Sequence, residues 1–266
     1  MTAGVRIDPV FVERVWGRTD LAPLFGPQAT RIGEVWFPLG ATYPLLVKFL
    51  FTSDRLSIQV HPRDEYAAEH ENGSRGKTEM WHVLAAEPGA TIALGLKEAV
   101  DRETLRASIA DGGVLDLVNW VPVKAGDTLF APAGTIHAIG AGISLCEIQQ
   151  NSNVTYRLYD YGRPRELHLE RGLAVSDLTP FEGHRKFPVA CEHFVTEMLE
   201  IGAGPLVSDI SCDYLLIPVG GTGSFSGQAF DAGQCWHVPA GAGGVEITGA
   251  PGARILRTRG GSAFVR

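Results

Sequence analysis

The sequence predicts an all-β protein made of two barrels, the first interrupted by a short helical insertion. Three observations lead there. The 32 glycines and 16 prolines of the 266 residues fall between short alternating runs, the mark of many strands joined by turns. Some runs alternate strictly: in "LSIQVHP", Leu56, Ile58 and Val60 share one face while Ser57, Gln59 and His61 share the other. Finally, "GDTLFAPAGTIH" (residues 126–137) aligns without gaps on "GQCWHVPAGAGG" (residues 233–244), both with a Pro-Ala-Gly turn, so the architecture reads as used twice.

In chain order, the apolar run "YPLLVKFLF" reads as a strand carrying one charge, Lys48, that needs an anionic partner. "LSIQVHP" follows as a strand with one polar face, and "PRDEYAAEHENG" as a short surface helix stopping at Gly73. "GKTEMWHVL" is the next strand, with Lys77, Glu79 and Trp81 on one side. "VDRETLRASIADGG" predicts a helix with Asp101 as N-cap, Leu105 and Ile109 one turn apart, and a stop at Gly112 and Gly113; "VLDLVNW" continues as a second short helix. These two form the insertion, about residues 98–119. "GDTLFAPAGTIHAIG" is a strand and turn presenting His137, and "ISLCEIQQ" another strand. Alternation breaks over residues 165–190 and resumes at "FVTEMLEI", so residues 1–170 and 171–266 are expected to be separate domains. In the second, Gly244 takes the place of His137, so no metal chemistry is expected there.

Composition narrows the function classes. A net charge of −7 argues against a nucleic-acid surface, which needs clustered Lys and Arg. The N-terminal stretch lacks the apolar core of a signal peptide, and no run is long enough to span a bilayer, so a soluble cytoplasmic protein without a membrane partner is expected. Cys146, Cys191, Cys212 and Cys235 form no CxxC pair and are expected to be reduced; Cys146 is assigned no chemistry.

Gln59, His61, Glu79 and His137 together have the composition of a metal site. Two imidazoles, a carboxylate and an amide oxygen suit a borderline divalent ion such as zinc, and two histidines with a carboxylate also suit iron. Gln59 is the weakest of the four, because a neutral amide binds such an ion poorly.

The "GDTLFAPAGTIH" turn resembles the second motif of the cupin superfamily, which delivers a ligand histidine into a jelly-roll barrel. Together with "LSIQVHP", "GKTEMWHVL" and "EIQQNSNVTYRLYDYGRPRELHL", the chain resembles the short bacterial form of type I mannose-6-phosphate isomerase from about Trp16 to Leu169. The resemblance implies two cupin-type jelly-roll barrels and one zinc ion on Gln59, His61, Glu79 and His137. It also implies interconversion of mannose 6-phosphate and fructose 6-phosphate through an enediolate, with Arg157 in the catalytic arginine position. Lys77 and Glu147 are the candidate bases, and Glu147 has an equally good role as an acceptor that positions its neighbours. Ser57, Lys48 and Arg157 are the expected phosphate donors, and Glu34 with Trp36, in "RIGEVWF", falls near the pocket. Along the Arg157 strand, Thr155 and Tyr159 are expected to face the cavity and Tyr156 and Leu158 to pack outward.

Two residues depart from the family pattern. His82 follows Trp81 where tyrosine is usual, on the face opposite Glu79; Asn153 stands where aspartate is common, so a hydrogen bond to its amide oxygen would have to replace any salt bridge that orients Arg157. A non-catalytic sugar-binding or regulatory cupin module, or an isomerase of a different sugar, are the competing functions, since fold alone fixes neither. The oligomeric state is left open.

Overall fold

Strands with one polar and one apolar face need a partner layer, and the chain supplies four sheets that cover one another. A computed structural model describes residues 4–202, 204–208, 212–242 and 244–262. The first part runs β1 (Val5–Arg6), β2 (Val10–Arg18), β3 (Ile32–Phe37), β4 (Leu45–Phe51), β5 (Ile58–Val60), α1 (Asp64–His70), β6 (Glu79–Ala86) and β7 (Thr91–Leu96). It continues with α2 (Arg102–Asp111), α3 (Val114–Leu117), β8 (Val118–Pro122), β9 (Thr128–Ala131), β10 (His137–Ile139), β11 (Ile143–Gln150) and β12 (Tyr156–Tyr159). Two antiparallel sheets, β2-β3-β4-β11-β6-β9 and β12-β5-β10-β7-β8, pack over a core that includes Trp16, Trp81, Leu94, Leu129, Ile139 and Leu145.

The rest runs α4 (Leu169–Val175), β13 (Val189–Ala190), β14 (Phe194–Glu200), β15 (Leu206–Ser208), β16 (Tyr214–Gly220) and β17 (Thr222–Phe225). Then come β18 (Gln228–Asp231), β19 (Trp236–Val238), β20 (Val245–Gly249) and β21 (Arg254–Gly260). Its sheets are β1-β19-β16-β21-β14-β13 and β15-β20-β17-β18. The neighbour order β9-β6-β11-β4-β3 thus recurs as β19-β16-β21-β14-β13, and β5-β10-β7-β8 recurs as β15-β20-β17-β18. The short sequence echo is therefore part of a repeated topology. One strand crosses over: β1 pairs with β19, so the N-terminus completes the later sheet.

The two halves meet back to back. Phe49, Met80, Cys146 and Ile148 on the outer face of one sheet share a core with Phe194, Leu215, Ile217 and Leu256 of the other. This is why β4 is buried along its whole length and reads as continuous rather than alternating hydrophobicity. Lys48 points the other way, into the first barrel, where the site lies.

The insertion forms much as its caps dictate. Asp101 accepts from the Thr104 N–H at 2.7 Å, and Gly112 closes α2 at φ +84°, a conformation glycine adopts without a Cβ penalty. The expected helix over "VLDLVNW" is shorter: α3 stops at Leu117, and Val118–Pro122 pairs with β7 because the β-branched valines there fit a half-buried edge. α4 was not expected. Its seven residues carry Gly172, which reads as a helix breaker, yet a Cβ there would stand 2.3 Å from Leu158 Cδ2, so glycine lets the helix lie on β12 without moving that leucine. Among the described residues, no helix is long and apolar enough to cross a membrane.

Candidate active site

β5, β6 and β10 bring three donors together at one end of the first barrel. His137 opens β10 directly opposite Gln59 of β5, and Glu79 opens β6. The candidate ligand atoms of His61, Glu79 and His137 lie within 4.8 Å of one another, and all three residues are buried. His137 Nε2 stands 3.2 Å and His61 Nε2 3.6 Å from Glu79 Oε1. Donors bound tetrahedrally at zinc distances stand roughly 3.3 Å apart, so the cluster has the right size.

The rings are also turned correctly. His61 Nδ1 lies 2.9 Å from the Val154 carbonyl and His137 Nδ1 2.9 Å from the Thr135 carbonyl. A carbonyl only accepts, so each Nδ1 carries the proton and each Nε2 lone pair faces the cluster, as ligation requires. Burial, reinforced by the adjacent Lys77 charge, pushes His61 down to about 3, so it is neutral at physiological pH. Burial also works against the Glu79 charge, but the Lys77 ammonium outweighs it and holds the carboxyl well below its ordinary value. Lys77 Nζ sits 2.5 Å from Glu79 Oε2 and 3.1 Å from His61 Nε2, a cation already seated against the donors. Gln59 is adjacent, but its amide nitrogen faces His137 Nε2 at 3.2 Å while its oxygen accepts from Ser57 Oγ at 3.2 Å. Ligation through oxygen requires the amide to turn over; the Ser57 hydroxyl, donor and acceptor alike, keeps a hydrogen bond either way.

Beyond the cluster opens a cavity of about 560 Å³ lined by Ser57, Gln59, Lys77, Glu79, Glu147, Lys48, Glu34 and Arg157, so every expected catalytic and substrate residue reaches it. A charge ladder runs along one wall. Arg14 Nη2 bonds Glu34 at 2.6 Å; Lys48 Nζ lies 3.9 Å from Glu34 and 3.4 Å from Glu147; Lys77 lies 3.9 Å from Glu147. Trp81 donates its indole N–H to Glu147 Oε2 at 3.0 Å. The buried lysine of β4 thus has the anionic partners its surroundings demanded, and Glu34 faces inward. Burial pulls Lys48 below its ordinary value, with Glu147 opposing. For Lys77, Glu147 and Glu79 outweigh burial and raise it.

Arg157 forms no ion pair among the described residues. Its Nη1 donates to the Glu166 carbonyl at 2.8 Å. Tyr159 corrects the expected alternation. A register shift between Arg157 and Tyr159 carries it away from the cavity to α2, where its hydroxyl meets Gly112, while Tyr156 and Leu158 pack against Leu173 and Val175 of α4. Arg14 and Arg165 line the cavity but were not singled out from sequence. Arg14 alternates with Trp16 on β2, a signal that was present; Arg165, between Pro164 and Glu166, carries none. The Val154 carbonyl had no sequence signal either, being backbone.

A jelly-roll barrel with a buried His–Glu–His donor set and a charged cavity above it defines a cupin-type protein with a candidate metal centre. No family model matches the chain. It is 32% identical over 259 residues, 82% of this chain and 79% of the relative, to probable mannose-6-phosphate isomerase GmuF of Bacillus subtilis (strain 168). The solved mannose 6-phosphate isomerase from Bacillus subtilis superposes with a TM-score of 0.86 at 26% identity, covering 97% of this chain and 100% of that one. A zinc-bound mannose 6-phosphate isomerase shares the fold at TM-score 0.79 and 15% identity, covering 98% of this chain and 100% of that one. The chain belongs to the mannose-6-phosphate isomerase family.

Proposed function

We propose that the chain interconverts mannose 6-phosphate and fructose 6-phosphate through an enediolate, with one zinc ion on His61, Glu79 and His137 and Gln59 as a fourth ligand. The observation that carries this is the donor triad: buried, turned with Nδ1 on backbone carbonyls, its ligand atoms within 4.8 Å of one another, and opening beside a buried lysine. The zinc carried by one structural relative suits the same donors. A zinc ion there would supply Lewis acidity toward the substrate's carbonyl and hydroxyl oxygens.

The chain's own residues do the rest. The reaction takes a proton from carbon 2 and returns it to carbon 1, while the carbon-2 hydroxyl proton passes to the carbon-1 oxygen. We assign the carbon proton to Lys77, whose Nζ alone of the candidate bases reaches the donor cluster. When Glu79 is engaged in ligation, Lys77 loses one of the two carboxylates that hold its proton, and its basicity falls toward a useful range. Glu147, fixed by Trp81 and Lys48, positions Lys77. Ser57, Lys48 and Glu34 present polar groups to the sugar hydroxyls, and Arg157 places fixed positive charge in the cavity. The outer sheet of the second half covers the first barrel's back and keeps this wall rigid. Four free thiols fit a reducing cytoplasm, where we place the enzyme.

Metal analysis with a coupled assay on mannose 6-phosphate tests the proposal. The purified protein should hold one zinc per chain, Glu79→Gln should lose both metal and turnover, and Lys77→Met should keep metal but lose turnover. A Glu79→Gln protein with undiminished zinc sinks the site; full turnover in Lys77→Met sinks the proton assignment.

A further inference from the structure

The ladder Arg14–Glu34–Lys48–Glu147–Lys77–Glu79 sets three cations against three carboxylates in contact with one another. Glu13 stands exposed at the same wall. That wall has no surplus positive charge for a dianion, and bringing a phosphate to Lys48 would set it against Glu147 and Glu34. Sugar hydroxyls are the ligands such a balanced wall suits.

The opposite wall differs. Arg157 has no carboxylate partner among the described residues, and its Nε is buried without a hydrogen bond. Arg165 lines the same cavity. Its Nε and Nη2 are clamped by Asp160 at 2.5 and 2.6 Å, and Asp160 is 2% exposed. The clamp leaves Nη1 without a partner among the described residues. Asp160 is shared with Arg163, whose Nε lies 3.4 Å away, so one buried carboxylate serves two guanidiniums beside an unpaired third. A rigid guanidinium fork with a free edge, next to an arginine with an unsatisfied buried donor, is the arrangement that binds phosphate oxygens.

Resting on the proposed isomerase function, we propose that Arg165, held by Asp160, forms with Arg157 the site for the substrate's phosphomonoester dianion, and that Lys48 does not. The substrate then lies across the cavity, its phosphate on the arginine wall and its carbon-1 end at the donor triad, with hydroxyls along the ladder. Arg165 and Asp160 act in binding and orientation; neither touches the reacting carbons. An inorganic phosphate ion offers the same oxygens and should occupy the same place.

Calorimetric titration of the zinc-loaded protein with inorganic phosphate, beside steady-state kinetics on mannose 6-phosphate, tests this. Arg165→Gln should weaken phosphate binding and raise KM roughly ten- to a hundredfold with little change in kcat, as loss of a charge-assisted pair predicts. Arg163 remains on Asp160 in this variant, so the buried carboxylate keeps a partner and the fold should hold. Arg165→Lys, which keeps charge but not the fork, should fall between. Lys48→Met should retain phosphate affinity, and phosphate should compete with mannose 6-phosphate. Unchanged phosphate affinity and KM in Arg165→Gln, loss of phosphate binding in Lys48→Met, or non-competitive inhibition each overturn the assignment. A wild-type protein that binds phosphate through Arg165 but does not isomerise mannose 6-phosphate would instead sink the functional proposal and leave the anion site standing.

Discussion

His82 should make the protein acid-sensitive in a defined window. It is 2% exposed, its Nδ1 lies 3.0 Å from Thr128 Oγ1, and its Nε2 is buried with no partner among the described residues. Burial, with Arg254 adding to it and Asp127 opposing, pushes its pKa from 6.5 down to about 4. Because the folded value is depressed, the unfolded chain binds a proton near pH 6.5 and the folded chain only near pH 4. Stability is therefore lost as pH falls through that window and levels off below it. At about 1.4 kcal/mol per unit, the loss is roughly 3 kcal/mol. Replacing His82 by Phe removes the titration, keeps a ring against Phe187 and leaves the Thr128 hydroxyl without its partner, a pH-independent cost of about 1–3 kcal/mol. The constant cost cancels when slopes are compared. Urea unfolding of chelator-treated wild type and His82→Phe between pH 7 and 4 should give curves that converge or cross on acidification. Parallel curves would refute the reasoning, since they would mean His82 does not titrate differently in the two states.

Gly134 holds the turn before His137 at φ +94°, donates to the His61 carbonyl at 2.8 Å, and leaves room for the Arg63–Asp177 pair; an added Cβ would stand 2.5 Å from Asp177 Oδ2. Gly134→Ala should therefore lower stability by about 1–2 kcal/mol from backbone strain alone, and weaken zinc binding because the same turn aims both histidines, which thermal unfolding and a zinc titration will read separately. In the second half, Phe225 is fully buried, stacked on Phe230 with centroids 4.4 Å apart and edge-on to Trp236. Phe225→Ala should cost about 3–5 kcal/mol in urea unfolding, while kcat of the folded fraction stays at the wild-type value, because none of its contacts reaches the first barrel.

What the sequence disclosed was whatever repeats with the period of a strand. Ser57, Gln59 and His61 declared a polar face by alternation, and Asp101 with Gly112 bounded a helix by capping chemistry. The donor quartet was legible for the same reason, with Gln59, Glu79 and His137 on strands and His61 directly following one. What did not show was set by tertiary fit. Tyr159 left the cavity because a one-residue shift in β12 reverses the face. α4 was hidden by Gly172, whose purpose is visible only when Leu158 is seen against it. Arg165 was invisible because its role comes from a fork held by Asp160, five residues away in a loop without periodicity.

The two halves show how one scaffold separates chemistry from support. Glu79 opposes Ala131, and Tyr214 opposes Val238; since Ala131 and Val238 occupy aligned places in the repeated segment, Tyr214 stands where Glu79 stands. By the same register, the cross-strand pair Lys48 and Glu147 corresponds to Glu197 and Arg257, an ion pair with the signs exchanged. The repeated lattice thus keeps a charged pair across these two strands in both halves, and in the first it extends, through Lys77, to the carboxylate of the His–Glu–His donor cluster. In the second, Tyr214, in the place of Glu79, joins Leu216, Phe225, Phe230, Trp236 and Ile247 in an apolar core. Filling that interior supplies hydrophobic stabilisation at positions where the first half keeps buried charge. The back-to-back packing of Phe49, Met80 and Ile148 on Phe194, Leu215 and Leu256 then carries that rigidity to the strands bearing Lys48, Glu79 and Glu147. A centre whose buried charges must hold their spacing is backed by a neighbour whose interior is an apolar core.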